Sequence, residues 1–429
     1  MRFLSTRAKA APVSFSEAVR HGAAPDGGLY LPETAQRADP EAYRPGQALA
    51  PFAANMLTPF VQGDRLEPAL GAICEEAFSF DVPIVTPDPS RPALRALELF
   101  HGPTGAFKDF GARFLMACFD RLGDEAEPLT VLAATSGDTG GAVGCAAEGR
   151  TAVRAMILYP QGRVSAFQEH QLTCWRAPVS AAKVEGDFDT CQSLVKAAFR
   201  DDAMRAGHRL TSANSINIAR LLPQAAYLAH AATEVETETG KAPGLIIPTG
   251  NLGHAFAALY ARRLGYPIGP VLIATNANAT LSEWSKTGRY EPRASIATIA
   301  NAMDVGAPSN FERLAALEGE LGPVGVMLAD DDVIRRRIKS EHERCGYVWC
   351  PHSAIAAEAF ERLPEARRTE RIWLAAATAH PFKFADIVEP LISETITPSA
   401  PLAAVLERPA SARIMPATLS ALDAALNAA

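Results

Sequence analysis

The sequence lacks an excess of basic residues and any long apolar run. Its 429 residues include 41 Lys and Arg against 48 Asp and Glu, for a formal net charge of −7. Proteins that cover a nucleic-acid backbone or an anionic membrane need a positive excess, so the composition argues against both partners. No apolar run is long enough to span a bilayer, and the first residues, MRFLSTRAKAAPVSFSEAVRHG, lack the apolar centre of a signal peptide. Any anion that this protein binds must therefore be held locally.

Cysteine is scarce and scattered through the chain. The seven cysteines show no repeated spacing, and several lie in apolar helical patterns, as buried thiols do in a reducing compartment. We therefore expect a cytoplasmic location. The residues are Cys74, Cys118, Cys145, Cys174, Cys191, Cys345 and Cys350.

Common catalytic and metal-binding motifs are also missing. The sequence contains neither G-x-S-x-G nor H-E-x-x-H, and it has no dinucleotide-binding fingerprint with a following acid. The spacing of Cys345, Cys350 and His352 resembles half of a zinc site, but no second pair of ligands follows it. We therefore expect no metal.

The chain is long enough for two or three domains. Its first 92 residues are rich in Pro, Ala and short helical patterns, which we interpret as an N-terminal extension packed on the main body. From residue 93 onward, short β-rich runs alternate with amphipathic helical runs, which predicts βαβ units and mostly parallel sheets with helices on both faces. We expect strands at 94–100, 129–135, 155–159, 180–185, 245–248, 271–275 and 372–376.

The predicted architecture is therefore two open α/β domains with an N-terminal helical extension. We assign residues 93–213 to a smaller domain and residues 214–395 to a larger one, followed by a tail at 396–429 that is a surface helix or a frayed end. Ligands of open parallel sheets lie beyond the carboxyl ends of the strands. The strand-to-helix turns are consequently the places to search for chemistry.

The first such turn, HGPTGAFKDF, contains a lysine where a cation is disfavoured. Lys108 falls in the first turn of a predicted helix, where the helix dipole is positive. Desolvation and positive surroundings favour loss of its proton, which suits an amine nucleophile. A solvated lysine on an exposed turn is the alternative, and the turn taken alone favours that alternative.

Two further glycine-rich turns combine free amides with hydroxyl groups at the start of a helix. TSGDTGG begins at Thr135, and PTGNLGH ends at His254. Amides at a helix start stabilise a carboxylate or a phosphate. Ordinary helix capping would explain either turn taken alone.

Two more segments place polar side chains at similar positions. NSINIAR, at the start of a long helix, ends with Arg220, whose guanidinium can bind a phosphate through two hydrogen bonds. Thr378 follows the last predicted strand, where its hydroxyl can bond a ring nitrogen. One amine, several anion-binding turns and a hydroxyl suit a cofactor with an aldehyde and a phosphate, together with a substrate that has a carboxylate. Pyridoxal phosphate is the simplest cofactor that meets this set.

Six motifs, in order, resemble those of the threonine synthase family in its long bacterial and fungal form. They are HGPTGAFKDFGARF, TSGDTGGAV, NSINIARLLPQ, PTGNLG, NAMDVGAPSN and TAHPFKF. The likeness runs from near the N-terminus to about residue 395. The resemblance implies a pyridoxal-phosphate enzyme with two open, mostly parallel-sheet domains, which is the fold-type II architecture of tryptophan synthase β.

The resemblance also implies a role for each matching residue. Lys108 is expected to hold the cofactor covalently, Asp138 to lie near its ring, and Thr378 to hydrogen-bond the pyridine nitrogen. The cofactor phosphate is expected at Gly250, Asn251, Leu252, Gly253 and His254. The substrate carboxylate is expected at Thr135, Ser136, Gly137 and Thr139, and the substrate phosphate at Ser215 and Arg220. His254 departs from the family pattern, and we expect it to add positive charge at its turn.

The implied reaction converts O-phospho-L-homoserine and water to L-threonine and phosphate, the last step of threonine biosynthesis. The alternatives are a phospho-homoserine lyase or a serine/threonine dehydratase of the same fold, and a non-catalytic pyridoxal-phosphate-binding module. Ser215 and Arg220 favour a phosphorylated substrate, and Lys108 argues against a non-catalytic module. The oligomeric state, monomer or homodimer, stays open.

Overall fold

The structure is a computed structural model that describes residues 1–36, 44, 46–135, 137–162 and 164–428. The strands of this part are β1 Phe3–Ser5, β2 Tyr30–Pro32, β3 Ile84–Val85, β4 Leu94–Glu98, β5 Leu129–Ala134, β6 Val153–Pro160, β7 Val179–Val184, β8 Leu210–Thr211, β9 Gly244–Pro248, β10 Val271–Thr275, β11 Val324–Leu328, β12 Trp373–Ala377 and β13 Arg413–Met415. The helices are α1 Phe15–His21, α2 Leu49–Val61, α3 Leu70–Ala77, α4 Lys108–Leu122, α5 Asp138–Ala147, α6 Ala166–Thr173, α7 Phe188–Arg200, α8 Asp202–Gly207, α9 Ile218–Thr239, α10 Gly253–Arg263, α11 Thr280–Thr287, α12 Phe311–Ala316, α13 Asp331–Cys345, α14 Pro351–Glu361, α15 Glu365–Thr369, α16 Ala385–Ile392, α17 Ala400–Leu406 and α18 Leu419–Asn427. Short 3-10 helices lie at Glu67–Ala69, Asn301–Met303 and Pro381–Phe384.

Two open sheets organise the fold, and nearly all of their strands run parallel. One sheet has the order β11-β10-β9-β12-β4-β3, in which β3 is antiparallel to β4. The other has the order β13-β7-β6-β5-β8, and its described pairs are all parallel. The seven strands predicted from the sequence are present in these sheets within about two residues of their expected bounds. The predicted α/β architecture is confirmed.

The central strands are apolar on both faces because helices cover both sides of each sheet. Every residue of β9 and of β12 is buried, which removes the alternation seen in half-exposed strands. Helix α4 packs against α5 and α9. One apolar core contains residues from both sheets and from the first three helices. No helix in the described part of the chain is long and apolar enough to cross a membrane.

The chain passes from one sheet to the other at three places in the described strand order. These crossings follow β4, β8 and β12. The segments that leave the carboxyl ends of these strands contain Lys108, Arg220 and Thr378, respectively. Three of the residues singled out from the sequence therefore lie on connections between the two sheets.

Sheet membership differs from the predicted division of the chain, whose boundaries stay a prediction. β4 lies inside the range 93–213 but pairs with β12 in the six-stranded sheet. The N-terminal extension is not purely helical, since β1 pairs with β2 and β3 joins the six-stranded sheet. Pairings of this kind join residues far apart in the sequence, so a local apolar pattern does not reveal them.

The tail was predicted as a surface helix or a frayed end, and this prediction is wrong in part. Helices α17 and α18 are present, but β13 lies between them and pairs in parallel with β7. Helix α18 also buries Leu422 and Leu426 against the five-stranded sheet. A strand of three residues is too short to show a period in the sequence. The tail is therefore part of the second sheet layer.

Replacing Leu422 with alanine tests whether the tail is docked. Leu422 is completely buried, and removing a buried leucine side chain leaves a cavity. We expect Leu422→Ala to lower the free energy of unfolding by about 2–5 kcal/mol, measured by urea denaturation. Leu406→Ala, at an exposed position of the same tail, is the control and should lower it by less than about 0.5 kcal/mol. Small and equal losses in both variants would indicate a frayed tail.

Candidate active site

Lys108 begins α4 and is held by a turn that its neighbour closes. The buried Asp109 carboxylate accepts hydrogen bonds from Thr104, at 2.9 Å from the backbone N–H and at 2.6 Å from the hydroxyl. Phe107 donates its N–H to the carbonyl of Thr378 at 2.9 Å. The end of β12 is thus tied to the residue just before Lys108. The carboxylate of Asp109 therefore stabilises this turn, and the amine of Lys108 is not among the groups that form these bonds.

Two lysines lie in this region, and their surroundings differ. Lys383 is completely buried, and its ammonium donates to the carbonyl of Thr104 and to Oε1 of Gln171, both at 2.6 Å. Its Nζ also lies 3.1 Å from Oδ1 of Asp138. An ammonium has three N–H donors, and the bonds to Thr104 and Gln171 use two of them, while the contact with Asp138 is an ion pair. The Lys383 nitrogen is therefore engaged by two protein acceptors and one acid.

Lys108 has the surroundings of a reactive amine. Burial is the largest influence on the pKa of its ammonium and lowers it. Asp138 opposes this shift, while the positive charges of Arg220 and Lys383 lower the pKa further. A lysine with a lowered pKa has more of the neutral amine that attacks a carbonyl. The sequence places a lysine at the positive end of the α4 dipole, where an ammonium is disfavoured, and this agrees with a lowered pKa of Lys108.

Asp138 begins α5 and lies near both lysines as a carboxylate. Burial raises its pKa, but Lys383 and Lys108 outweigh burial and bring the pKa down to about 2. The positive end of the α5 dipole also favours a negative charge at this position. The site therefore keeps one buried carboxylate ionised between two amines.

The turn between β5 and α5 is stabilised by its own first hydroxyl. Oγ1 of Thr135 accepts the N–H groups of Gly137 and Gly140, both at 3.0 Å, and donates to the carbonyl of Gly137 at 3.1 Å. The Thr135 hydroxyl is therefore already engaged in the turn. Its predicted contact with a substrate carboxylate stays a prediction, while local bonds that the sequence does not reveal use the same oxygen.

The same turn keeps backbone donors available at the start of α5. Gly137 has φ +147°, and a side chain there would overlap the amide of Gln168. Thr139 is partly exposed, and the first N–H groups of a helix have no partner inside the helix. The Thr139 hydroxyl and the N–H groups of Asp138 and Thr139 remain candidates for binding a carboxylate, whereas the N–H groups of Gly137 and Gly140 already donate to Thr135. Ser136, which was predicted beside them, lies outside the described residues.

The turn between β9 and α10 presents backbone donors in the same way. Leu252 caps α10 with a left-handed φ of +65° and is buried. A side chain on Gly250 would come within 2.6 Å of the Cα of Met303, so only glycine allows the two loops to pack. This packing leaves the start of α10, at Gly253, available to an anion such as a phosphate.

Asn251 joins this turn to the segment that precedes α9. Its side-chain amide donates to the hydroxyl of Ser215 at 2.6 Å, and its Oδ1 accepts the N–H of Ser309. Asn310 also donates to the carbonyl of Asn251 at 3.1 Å. The structure therefore brings together the two segments predicted to bind two different phosphates.

Arg220 is a buried cation that lacks an acidic partner. Its Nη1 donates to the carbonyl of Ala213 at 2.7 Å, but its Nε has no hydrogen-bond partner in the described part of the chain. Burial lowers the pKa of Arg220 to about 10, so it stays charged at neutral pH. Arg313, which is buried as well, bonds protein acceptors through Nε, Nη1 and Nη2. A buried charge normally has a partner, so Arg220 is suited to an anion from outside the chain.

Thr378 follows β12 and lies opposite the Lys108 turn. Its N–H donates to Oγ of Ser353 at 2.9 Å, and its Oγ1 lies 3.4 Å from the same oxygen. Ser353 in turn lies 3.2 Å from the thiol sulfur of Cys350. The hydroxyl predicted at the end of this strand is thus buried, on a residue whose backbone is bonded to the turn before Lys108.

Comparison with known proteins identifies the family of this chain. Residues 93–373 match the family described as pyridoxal-phosphate dependent enzyme, and residues 2–78 match the family described as threonine synthase N terminus. The threonine synthase of Serratia marcescens is 36% identical over 418 residues, 96% of this chain and 95% of that protein. The crystal structure of pyridoxal-phosphate-bound threonine synthase from Brucella melitensis has a TM-score of 0.91 at 33% identity, covering 100% of this chain and 99% of that one. For threonine synthase from Escherichia coli the TM-score is 0.87 at 32% identity, with 100% of both chains covered.

The chain belongs to the threonine synthase family. The expected fold-type II architecture is confirmed, and pyridoxal phosphate is the cofactor. The donors in the structure fit this cofactor. Lys108 offers an amine for the aldehyde, the start of α10 offers amides for the phosphate, and Thr378 offers a hydroxyl. The unpartnered Nε of the buried Arg220 remains for a second anion.

His254 does not carry the positive charge that we expected in this member of the threonine synthase family. Its ring is buried and stacks on Phe107, with 4.6 Å between the ring centroids. Burial lowers its pKa to about 3, so the ring is neutral. The sequence could not show this, because Phe107 lies on a different turn. A contact of the cofactor phosphate with the backbone of His254 stays a prediction.

Several buried polar residues that shape the site are not evident as site residues from the sequence. Lys383 was within the quoted motif TAHPFKF, where a cation between two phenylalanines was an available signal. Gln171 had no such signal, and the spacing around His352 indicated only half of a zinc site. Nε2 of His352 accepts the N–H of Ala302 at 3.1 Å, and burial lowers the pKa of this histidine to about 4. No cluster of His, Cys, Asp or Glu suited to a metal occurs among the residues that the structure describes.

The buried neutral ring of His254 makes a pH-dependent contribution to stability. Because its folded-state pKa of about 3 lies below the ordinary value of 6.5, the unfolded chain takes up the proton first, and stability falls as pH drops from 6.5 toward 3. Replacement of His254 by leucine removes this pH-dependent contribution to the free energy of unfolding. We expect the stability of His254→Leu relative to the unsubstituted protein to improve by about 2 kcal/mol between pH 8 and pH 5, measured by urea denaturation at each pH. Parallel pH curves would contradict a buried neutral histidine.

Proposed function

We propose that this protein converts O-phospho-L-homoserine and water to L-threonine and phosphate, with pyridoxal phosphate bound covalently to Lys108. The observation that carries this proposal is Arg220, a buried cation that has no acidic partner among the described residues and whose charge lowers the pKa of Lys108. An amine for an aldehyde and a separate cation for an anion suit a substrate that carries its own phosphate. A dehydratase that acts on free serine has no use for this second anion site.

The proposed cofactor contacts use both side chains and backbone. Pyridoxal phosphate supplies an aldehyde for the substrate amine and a ring that accepts electrons. We assign its phosphate to the turn Gly250, Asn251, Leu252, Gly253 and His254 at the start of α10, where amides favour an anion. Thr378 is assigned to the ring nitrogen, because it lies at the end of β12 opposite the Lys108 turn. Asp138 is assigned to the vicinity of the ring.

The proposed substrate contacts hold the two ends of the molecule apart. We assign the carboxylate to Ser136, Gly137, Thr139 and the amides at the start of α5, with Thr135 as the residue that shapes this turn. The phosphate is assigned to Ser215 and Arg220, aided by Asn251, which already bonds Ser215. Fixing both ends orients the carbon chain, and orientation accounts for much of the rate gain of an enzyme. The Lys108 amine is assigned to move protons at Cα and Cβ.

The proposal also includes a location and a set of partners. The seven cysteines are all unpaired, and free thiols persist in a reducing compartment, so we place the protein in the cytoplasm. Its partner is a small-molecule substrate, and the negative net charge gives no reason to expect nucleic acid or a membrane surface. The oligomeric state stays open between monomer and homodimer.

The reaction itself is tested by measuring phosphate and threonine release from O-phospho-L-homoserine in the same sample. Equal amounts of both products support the proposal. Release of phosphate with 2-oxobutyrate and without threonine would indicate a lyase instead. A protein that binds pyridoxal phosphate but releases neither product would indicate a binding module.

Lys108→Ala tests the covalent attachment of the cofactor. Because only a lysine amine can form this linkage, we expect borohydride reduction to fix pyridoxal phosphate at Lys108 in the unsubstituted protein and nowhere in the variant. Peptide mass spectrometry locates the label. Lys183→Ala, which removes a lysine paired with Glu169, is the control and should retain the label. A label on Lys383 would contradict the assignment.

Arg220→Met tests the second anion site. Removing the charge while keeping a long side chain should weaken binding of O-phospho-L-homoserine by about 2–4 kcal/mol, as expected for losing a buried charged partner. Calorimetric titration measures this loss. Binding of unphosphorylated L-homoserine is the control and should change by less than about threefold. Equal losses for both ligands would remove Arg220 from the phosphate site.

A further inference from the structure

We infer that Lys383 is a positioning residue that keeps the amine of Lys108 reactive by occupying Asp138. The inference deepens the proposed function and rests on the assignment of Lys108 as the amine that reacts. It concerns a side chain that bonds only protein groups and has no assigned part in binding cofactor or substrate. Its support comes from three contacts and from the charges around Lys108.

The contacts of Lys383 join segments from both sheets. Lys383 lies in the 3-10 helix that follows β12 of the six-stranded sheet. It reaches the carbonyl of Thr104, in the turn before Lys108, and Oε1 of Gln171, on α6 beside the five-stranded sheet, both at 2.6 Å. Gln171 also donates to the carbonyl of Thr104 at 3.1 Å. Lys383 therefore holds the Lys108 turn against the opposite layer.

Asp138 is the acidic group that both lysines face. Its carboxylate is buried and lies 3.1 Å from Nζ of Lys383. It also acts electrostatically on Lys108, which it would stabilise as an ammonium. Charges in a buried site interact much more strongly than in water, so the partner that Asp138 holds matters for the other lysine. While Lys383 is paired with Asp138, the negative charge of that carboxylate is balanced by a lysine whose nitrogen is already bonded to two protein acceptors.

The other charged groups near Lys108 do not reverse this balance. Arg220, in the first turn of α9, is positive and disfavours an ammonium at Lys108. His352, on α14, is buried and neutral near pH 7, since burial lowers its pKa to about 4. Asp109, the next residue, is buried and engaged by Thr104. Without Lys383, the negative charge of Asp138 would act on Lys108 alone, and one positive charge that repels the Lys108 ammonium would be gone. Both changes would raise the pKa of Lys108.

A purely structural role for Lys383 predicts a different result. If Lys383 only held the turn in place, its removal would weaken the fold or the binding of ligands. It would not change the pH at which Lys108 loses its proton. The pH dependence of Lys108 reactivity therefore separates the two roles.

The test measures labelling of Lys108 in the full-length, cofactor-free protein. Formaldehyde with cyanoborohydride methylates only neutral amines, and peptide mass spectrometry gives the extent at Lys108 for each pH. We expect Lys383→Met to raise the midpoint by about one pH unit, which is a roughly tenfold loss of labelling at a fixed pH below the midpoint. The double variant Lys383→Met with Asp138→Asn should recover most of this loss, because both charges are then absent.

Lys183→Met is the matched control. Like Lys383, Lys183 pairs with an acid, in its case Glu169 on α6, but it is not among the charges that act on Lys108. It should leave the midpoint unchanged. An unchanged midpoint in Lys383→Met, or a shift that persists fully in the double variant, would overturn the inference. If Lys383→Met fails to fold, Lys383→Gln, which still donates hydrogen bonds, is measured in the same way. Failure of the proposed function would show separately, as unsubstituted protein without reduced cofactor on Lys108.

Discussion

A buried ion pair between Lys383 and Asp138 connects the loops of two separate sheets. Lys383 follows β12 of one sheet, and Asp138 follows β5 of the other. Neither charge is exposed, so each depends on the other and on the hydrogen bonds that Lys383 makes to Thr104 and Gln171. The position of the Lys108 turn depends on the same contacts, because Thr104 also donates two hydrogen bonds to Asp109, the residue that follows Lys108. The position of Lys108 therefore depends in part on this pair.

The site combines one balanced charge pair with one unbalanced charge. Lys383 and Asp138 compensate each other inside the protein, whereas Arg220 is paired with no acid in the part of the chain that the structure describes. Burying a charge without a partner is costly, and a folded protein retains such a charge where a ligand supplies the partner. Arg313 shows that this fold can give all three nitrogens of a buried guanidinium an acceptor from the protein itself. The unsatisfied Arg220 therefore points to the ligand and not to a general weakness of packing.

The sequence predicted the strands and the chemical types at their ends better than it predicted the contacts between them. The seven strands and the positions of Lys108, Arg220 and Thr378 follow from local patterns of apolar, glycine and polar residues. β13, the engaged hydroxyl of Thr135 and the stacked ring of His254 depend on partners distant in the chain or on the bonds inside a turn. Lys383 was inside a recognised motif, but its three partners come from three other segments. Local patterns can indicate which residues are unusual, while only the assembled fold shows which ones pair.

The topology explains why these unusual residues meet. The chain leaves one sheet for the other after β4, β8 and β12, always from the carboxyl end of a strand. The first crossing contains Lys108, the second Ser215 and Arg220, and the third Thr378 and Lys383. Helix starts and strand ends at such places have free backbone donors, so they already suit anions before any side chain is added. A charged or hydroxyl side chain placed on a crossing is therefore brought to the boundary between the layers, where a ligand can contact both.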